Sequence, residues 1–163
     1  MMGVSGCGKS VVGQEVARQW AADFQDADHW HTPEAVAKMA AGHPLTDEDR
    51  APWLERLREK VIAATPPDGR TVLACSALRR RYRDALRAGQ DGVQFVYLSG
   101  KKELVAARMG LRRDHYMPAA LLDSQFASLE EPGPDEAITV SIGQPLDEVV
   151  AGVLEIVIPR LQA

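Results

Sequence analysis

Two kinds of apolar pattern alternate along the chain: stretches with helical spacing and short unbroken runs. Val12, Val16 and Trp20 recur every four residues, which predicts a helix over 9–22. An extended segment follows at Phe24–Asp28. Thr32-Pro33-Glu34 combines an N-cap, a proline at the first helical position and an early acid, so a helix starts there and should stop at Gly42. Thr46 followed by Asp47, Glu48 and Asp49 is a second N-terminal signature, with its helix expected over about Pro52–Ala64. TVLAC at 71–75 reads as a buried strand, 77–88 as a basic helix closed by Gly89, and VQFVYL at 93–98 as the next strand. Helices are expected over 101–113 and 121–129, a loop around His115–Pro118, a break at Glu131–Pro134, a last strand at 137–142 and a last helix at 146–158. Trp20 and Trp53 fall on apolar helical faces, while Trp30 has no evident place. Strands alternating with helices predict an α/β fold with a parallel sheet flanked by helices, and 163 residues without repeats fit one domain.

Composition narrows the function. A formal net charge of -4 argues against a general nucleic-acid binder, whose affinity comes from neutralising phosphates. No segment is apolar enough to span a bilayer, since Val149–Ile158 is interrupted by Glu155 and ends at Pro159. The first residues lack a basic region followed by an apolar run, so they are not expected to be a signal peptide, and two cysteines, Cys7 and Cys75, make no disulfide framework; a cytoplasmic protein is expected.

The sharpest motif is Gly3-Val4-Ser5-Gly6-Cys7-Gly8-Lys9-Ser10, which fits G-x-x-x-x-G-K-[ST] at every fixed position. Glycines let the backbone curl so that successive N–H groups face phosphate oxygens, and the helix that follows aims its positive end at the same point. Lys9 is expected to reach the β- and γ-phosphates of ATP, and the Ser10 hydroxyl to ligate Mg²⁺. A random chain of this length would match with odds below about one in a hundred. Such a loop normally follows a central strand, yet only Met1 and Met2 precede Gly3. A full strand would bury some four apolar side chains, worth ~6–12 kcal/mol, against ~5–15 kcal/mol for a whole domain. The first central strand is therefore read as truncated, with the natural start upstream.

Asp26-Ala27-Asp28 ends the second predicted strand. Residues two apart on a strand face the same way, so both carboxylates are expected at the crevice beyond the carboxyl ends of the sheet, where ligands bind in this class. Asp28 is assigned as the base for an attacking hydroxyl and Asp26 as metal-side support, an order that could be reversed. Taken alone, such a pair is as readily turn chemistry.

These residues carry a family resemblance. Met2–Ser10 (MGVSGCGKS), the Asp26/Asp28 pair with His31, Lys38-Met39, Gly42–Leu54 (GHPLTDEDRAPWL), CSAL at 75–78 with Tyr82-Arg83-Asp84, His115–Met117, and Gln125-Phe126 with Leu129-Glu130 resemble the gluconokinase family of P-loop kinases. The P-loop is shared by many families, whereas GHPLTDEDRAPWL and CSAL followed by YRD are far more specific. The resemblance covers essentially the whole chain. It implies a three-layer P-loop kinase fold with a helical lid at about 108–130, ATP and Mg²⁺, transfer to the terminal hydroxyl of D-gluconate, and a cytosolic, often homodimeric enzyme.

Gluconate carries one carboxylate and several hydroxyls. Arg50 and Arg83 are candidate partners for the acid, and His31 and Ser76 for the hydroxyls. Arg50 could instead pair with Asp47 or Glu48 at the surface. By similarity to related kinases, Arg108 and Arg112 would neutralise the transferring phosphoryl group, with Arg113, His115 and Tyr116 in the same water-excluding lid. Basic residues at a helix end also suit its dipole. The chain departs from the family in having Thr32 where Pro is usual and Ala35 where Asn is common, which bears on the shape of the substrate-side helix. Competing readings are a kinase of another small hydroxy acid such as shikimate, a P-loop domain that holds ATP without transferring it, and an inactive truncated product.

Overall fold

The computed structural model describes residues 1–110 and 119–162. In chain order the elements are α1 (Lys9–Trp20), β1 (Asp23–Asp26), a 3₁₀ turn (Ala27–Trp30), α2 (Pro33–Ala40) and α3 (Asp47–Leu57), which runs into a π-helical turn at Arg58–Ile62. Then come β2 (Thr71–Ala74), α4 (Arg80–Arg87), β3 (Phe95–Ser99), α5 (Lys102–Gly110), α6 (Ala119–Ser128), β4 (Ala137–Ser141) and α7 (Leu146–Gln162).

Every strand pair is parallel. β1 pairs with β2 from Asp23↔Thr71 to Asp26↔Ala74, and β3 pairs with β4 from Phe95↔Ala137 to Ser99↔Ser141. Met1–Gly3 join the two ladders. Met2 N donates to Val96 O at 2.8 Å and Leu98 N to Met2 O at 3.0 Å, while on the other side Cys75 N donates to Met1 O at 3.0 Å. The slot in which the sequence predicts a central strand is thus occupied by the two residues that precede Gly3, and Met2 is 1% exposed within it. The phosphate loop leaves from the middle of the sheet, at the carboxyl ends of the strands.

Alternation along the strands divides the interior into two cores, as period-two side-chain geometry requires. Val96 and Leu98 of β3 join Val12 and Val16 of α1, Val105 of α5 and Val149, Val150 and Val153 of α7. Phe95 and Tyr97 face the other way, onto Trp53, Leu54 and Leu57 of α3 and Tyr82 and Leu86 of α4. The result is helix, sheet, helix: the three layers expected.

The capping signatures mark the helix starts. Thr32 Oγ1 accepts from Ala35 N at 3.2 Å, so the residue that departs from the family's proline serves as N-cap of α2. Thr46 and Asp49 form a reciprocal capping box. Consequently α3 begins at Asp47, ahead of the expected Pro52, and carries that proline inside. α4 starts at Arg80, after the expected Ala77, because Ala77 adopts φ 42 in the loop before it. α7 runs past the expected stop, with Pro159 inside it.

Candidate active site

The phosphate loop has the backbone its glycines permit, with φ of 137, 81 and 96 at Gly3, Gly6 and Gly8. A Cβ on Gly6 would lie 2.4 Å from Met109 Cγ, so a side chain there is excluded twice over. Lys9 Nζ donates to Val4 O at 2.9 Å, folding the ammonium over the loop. Gly3 N donates to Ser76 O at 3.2 Å, which ties the loop to the CSAL segment. Cys7 is buried at 1% exposure, and that burial pushes its thiol pKa up, so it acts as a small packing group.

One cleft brings together Ser5, Gly6, Gly8, Lys9 and Ser10 with Asp26, Asp28, Ala74, Cys75, Ser76 and Met109. The two carboxylates reach it differently from the strand-face expectation. Asp26 ends β1, whereas Asp28 lies in the following 3₁₀ turn, whose N-cap is Asp26. Asp26 Oδ2 accepts from Ser10 Oγ at 2.7 Å and Oδ1 from Asp28 N at 3.1 Å, so both its oxygens are engaged. The Asp28 side chain is 87% exposed, with the His31 imidazole Nε2 at 3.9 Å from its Oδ1.

His31 stacks on Trp53 with ring centroids 4.3 Å apart. Its side chain is 6% exposed and its Nδ1 has no hydrogen-bond partner among the described residues. Burial lowers its pKa, nearby Arg50 lowers it further, and Asp28 opposes both. His31 is therefore neutral at pH 7. Trp30, unplaced by the sequence, packs beside this second core with its Nε1 donating to Gln25 Oε1 at 3.4 Å.

The arginines divide. Arg50 Nη1 donates to Leu45 O, and its guanidinium lies 5.6 Å from the centroid of the Tyr82 ring. Among the described residues it forms no ion pair with Asp47 or Glu48; Asp47 is instead taken by Arg81, Arg79 and the Tyr82 hydroxyl. Arg83 does not reach the cleft, which corrects its assignment to the substrate. It is 1% exposed, pairs with Glu136 at 2.6 Å, and its Nη1 donates to the carbonyls of Ala77 and Leu78, both at 3.1 Å. Arg108 Nη2 donates to Ile142 O at 2.6 Å and lines a second, more apolar recess with Gly6, Gly8, Val11, Val12, Ile142, Gln144, Leu146 and Val149. Arg108 is thus not among the residues that line the cleft with Asp28, where a group neutralising the transferring phosphoryl is expected. Arg112, Arg113, His115 and Tyr116 lie outside the described residues.

Sequence reasoning gave no role to this recess or to Gln125. The carboxamide of Gln125 accepts from Ser5 N at 2.6 Å and donates to Ser5 Oγ at 3.0 Å. Its place in the family pattern was the only signal.

Known proteins resemble this chain over nearly its whole length. Residues 5–132 match the family model described as shikimate kinase. The thermoresistant gluconokinase of Escherichia coli (strain K12) is 42% identical over 96% of this chain and 91% of its own length. The gluconokinase of Gluconobacter oxydans (strain 621H) is 43% identical over 100% of this chain and 90% of its own. The chain belongs to the gluconokinase family. A crystal structure of a gluconokinase from Sinorhizobium meliloti 1021 superposes with TM-score 0.85 at 42% identity, covering 94% of this chain and 87% of that one. A shikimate kinase from Bacteroides thetaiotaomicron, at 14% identity and TM-score 0.63, shares the fold. The family membership rests on the relatives of higher identity. Kinases of this group use ATP.

Proposed function

We propose that the chain transfers the γ-phosphoryl group of ATP to the terminal hydroxyl of D-gluconate, giving 6-phospho-D-gluconate. The observation that carries this is a division of labour within one cleft. Phosphate loop and Lys9 line one side, Asp26 is occupied by Ser10, and Asp28 has among the described residues only the His31 imidazole at 3.9 Å beside it.

In this reading the loop N–H groups and Lys9 hold the β- and γ-phosphates, Lys9 exchanging the Val4 carbonyl for phosphate oxygens. Ser10 and Asp26 fit a Mg²⁺ site. No cluster of three His, Cys, Asp or Glu occurs among the described residues, and Mg²⁺ is usually held by one or two protein groups with phosphates and waters. Bound there, Mg²⁺ would offset the negative charge of the phosphates. Asp28 takes the proton of the gluconate hydroxyl as that oxygen bonds to the γ-phosphorus, and the bond from phosphorus to the bridging oxygen of ADP breaks. Neutral His31, whose Nδ1 has no partner among the described residues, and Ser76 suit the polyol hydroxyls. Arg50 suits the carboxylate, since its guanidinium has donors beyond the Leu45 carbonyl. The recess lined by Val11, Leu146, Val149 and Arg108 suits the nucleotide base, an apolar ring with polar edges. A homodimer, as the family resemblance implies, belongs to the same reading and is checked by light scattering.

The test is Mg-ATP-dependent phosphorylation of D-gluconate, with shikimate and no-acceptor controls. Product with gluconate alone supports the reading. Transfer to shikimate instead, or hydrolysis indifferent to acceptor, removes it.

A further inference from the structure

We propose that Gln125 is a positioning residue for phosphoryl transfer, clamping Ser5 through both ends of its carboxamide and so fixing the tip of the phosphate loop. The two contacts are the 2.6 Å bond from Ser5 N and the 3.0 Å bond to Ser5 Oγ, made across 120 positions of sequence. The rest of the loop is held by other means. Val4 O accepts from both Cys7 N and Lys9 Nζ, Gly3 N donates to Ser76 O, and α1 begins at Lys9. Among the described residues, Ser5 is the loop residue hydrogen-bonded by a helix from elsewhere in the chain. Fixing its nitrogen and its hydroxyl together fixes its backbone, and with it the direction of the next N–H, that of Gly6, where φ is 81. Ser5 and Gly6 line the cleft with Lys9 and Asp28, whereas Gln125 is not part of that lining. Gln125 therefore acts through Ser5.

The clamp has a firm base. Leu122 is 4% exposed in the core, and Asp123 of α6 pairs with Lys102 of α5 at 2.6 Å. Just beyond α6, Glu130 N donates to Leu78 O at 2.9 Å and the Glu130 carboxylate accepts from Arg80 N at 2.7 Å. The helix that holds the phosphate loop is thus pinned to the CSAL segment, which contributes Ser76 to the acceptor side of the cleft. A carboxamide that merely satisfied itself would matter to stability alone. One that aims phosphate donors matters to turnover, because a misplacement of about 1 Å can cost roughly a hundredfold in rate.

The inference rests on the phosphate loop binding ATP, and the test separates the two. Gln125→Leu, Gln125→Glu and Ser5→Ala would be compared with wild type by steady-state kinetics, calorimetric titration with Mg-ATP and thermal melting without ligand. Gln125→Leu should lower kcat by about 10- to 100-fold. Its Kd for Mg-ATP and KM for gluconate should stay within about threefold, and its melting temperature should stay close to wild type. Gln125→Glu, which keeps an acceptor for Ser5 N–H, should recover part of kcat. Ser5→Ala, which removes half of the clamp in a loop that otherwise keeps its contacts, should lower kcat less than Gln125→Leu and add nothing to it in the double variant. Wild-type kcat in Gln125→Leu, or a loss confined to melting temperature, overturns the clamp. So does tighter nucleotide binding with unchanged kcat, which would make Gln125 a competitor for the Ser5 N–H. Failure of wild type to bind Mg-ATP would overturn the nucleotide reading and the clamp with it.

Discussion

Arg83 and Glu136 meet at 2.6 Å across 53 residues of sequence, with the arginine side chain 2% exposed and the glutamate 11%. The pair fastens the start of β4 to α4, and the same guanidinium holds the carbonyls of Ala77 and Leu78, where the chain takes its left-handed turn. Arg83→Met should therefore destabilise the fold by about 3–5 kcal/mol, the usual cost of stranding one partner of a buried pair. Replacing both, as Arg83→Met with Glu136→Leu, should cost less than Arg83→Met alone. Urea unfolding of the three variants checks this, and a cheap single variant would show the pair to be loosely held.

Asp28→Asn should abolish phosphoryl transfer, with a fall in kcat of about 10²–10⁴-fold, while Mg-ATP still binds. Asp26→Asn should act differently. It removes the negative charge on the metal side and leaves one acceptor oxygen to serve both Ser10 Oγ and Asp28 N, so its loss should be partly relieved by raising Mg²⁺. Near-normal turnover in Asp28→Asn would remove that carboxylate from the role of base.

Lys9→Ala should weaken nucleotide binding and cut turnover sharply. Arg50→Ala should raise the KM for gluconate more than that for ATP, because Arg50 lies beside His31 and Tyr82, not among the loop residues. Equal changes in both Michaelis constants would return Arg50 to a purely structural place, bracing Leu45.

His31 gives a pH dependence of stability. Burial depresses its folded pKa below the usual 6.5, so the unfolded chain takes up the proton first as pH falls. Stability should thus be unaffected by His31 above about pH 7 and should decline as pH drops through 6.5 toward the folded pKa. His31→Gln should flatten that decline in unfolding curves recorded between pH 5 and pH 7. An equal decline in both proteins would assign it to other groups.

Much of this molecule is local in origin, and those parts are readable without coordinates. The phosphate loop is contiguous, so its residue types alone dictate its backbone. Thr32 and Thr46 mark helix starts because capping contacts span only three residues. Even so, α3 begins at Asp47, ahead of the expected Pro52, because the capping box at Thr46 fixes the first turn directly after it. Asp26 and Asp28 were matched to one strand face, but the chain turns into 3₁₀ geometry between them, and the cleft receives both by another route. Arg83 and Gln125 show where sequence falls silent. An arginine in a YRD motif looks available until Glu136 closes over it, and a glutamine of α6 has no visible partner until the fold brings Ser5 to it.

The alternation of β3 makes sequence neighbours energetic strangers. Val96 and Tyr97 are adjacent, yet each belongs to a different core on opposite faces of the sheet. Truncations at these two positions should couple only weakly, because their side chains pack into different cores. Epistasis should appear instead within a layer, between residues far apart in the chain such as Val96 and Val150. Substitutions in this protein would thus be free to accumulate on one face of the sheet while the other stays fixed, giving two half-independent histories within a single short chain.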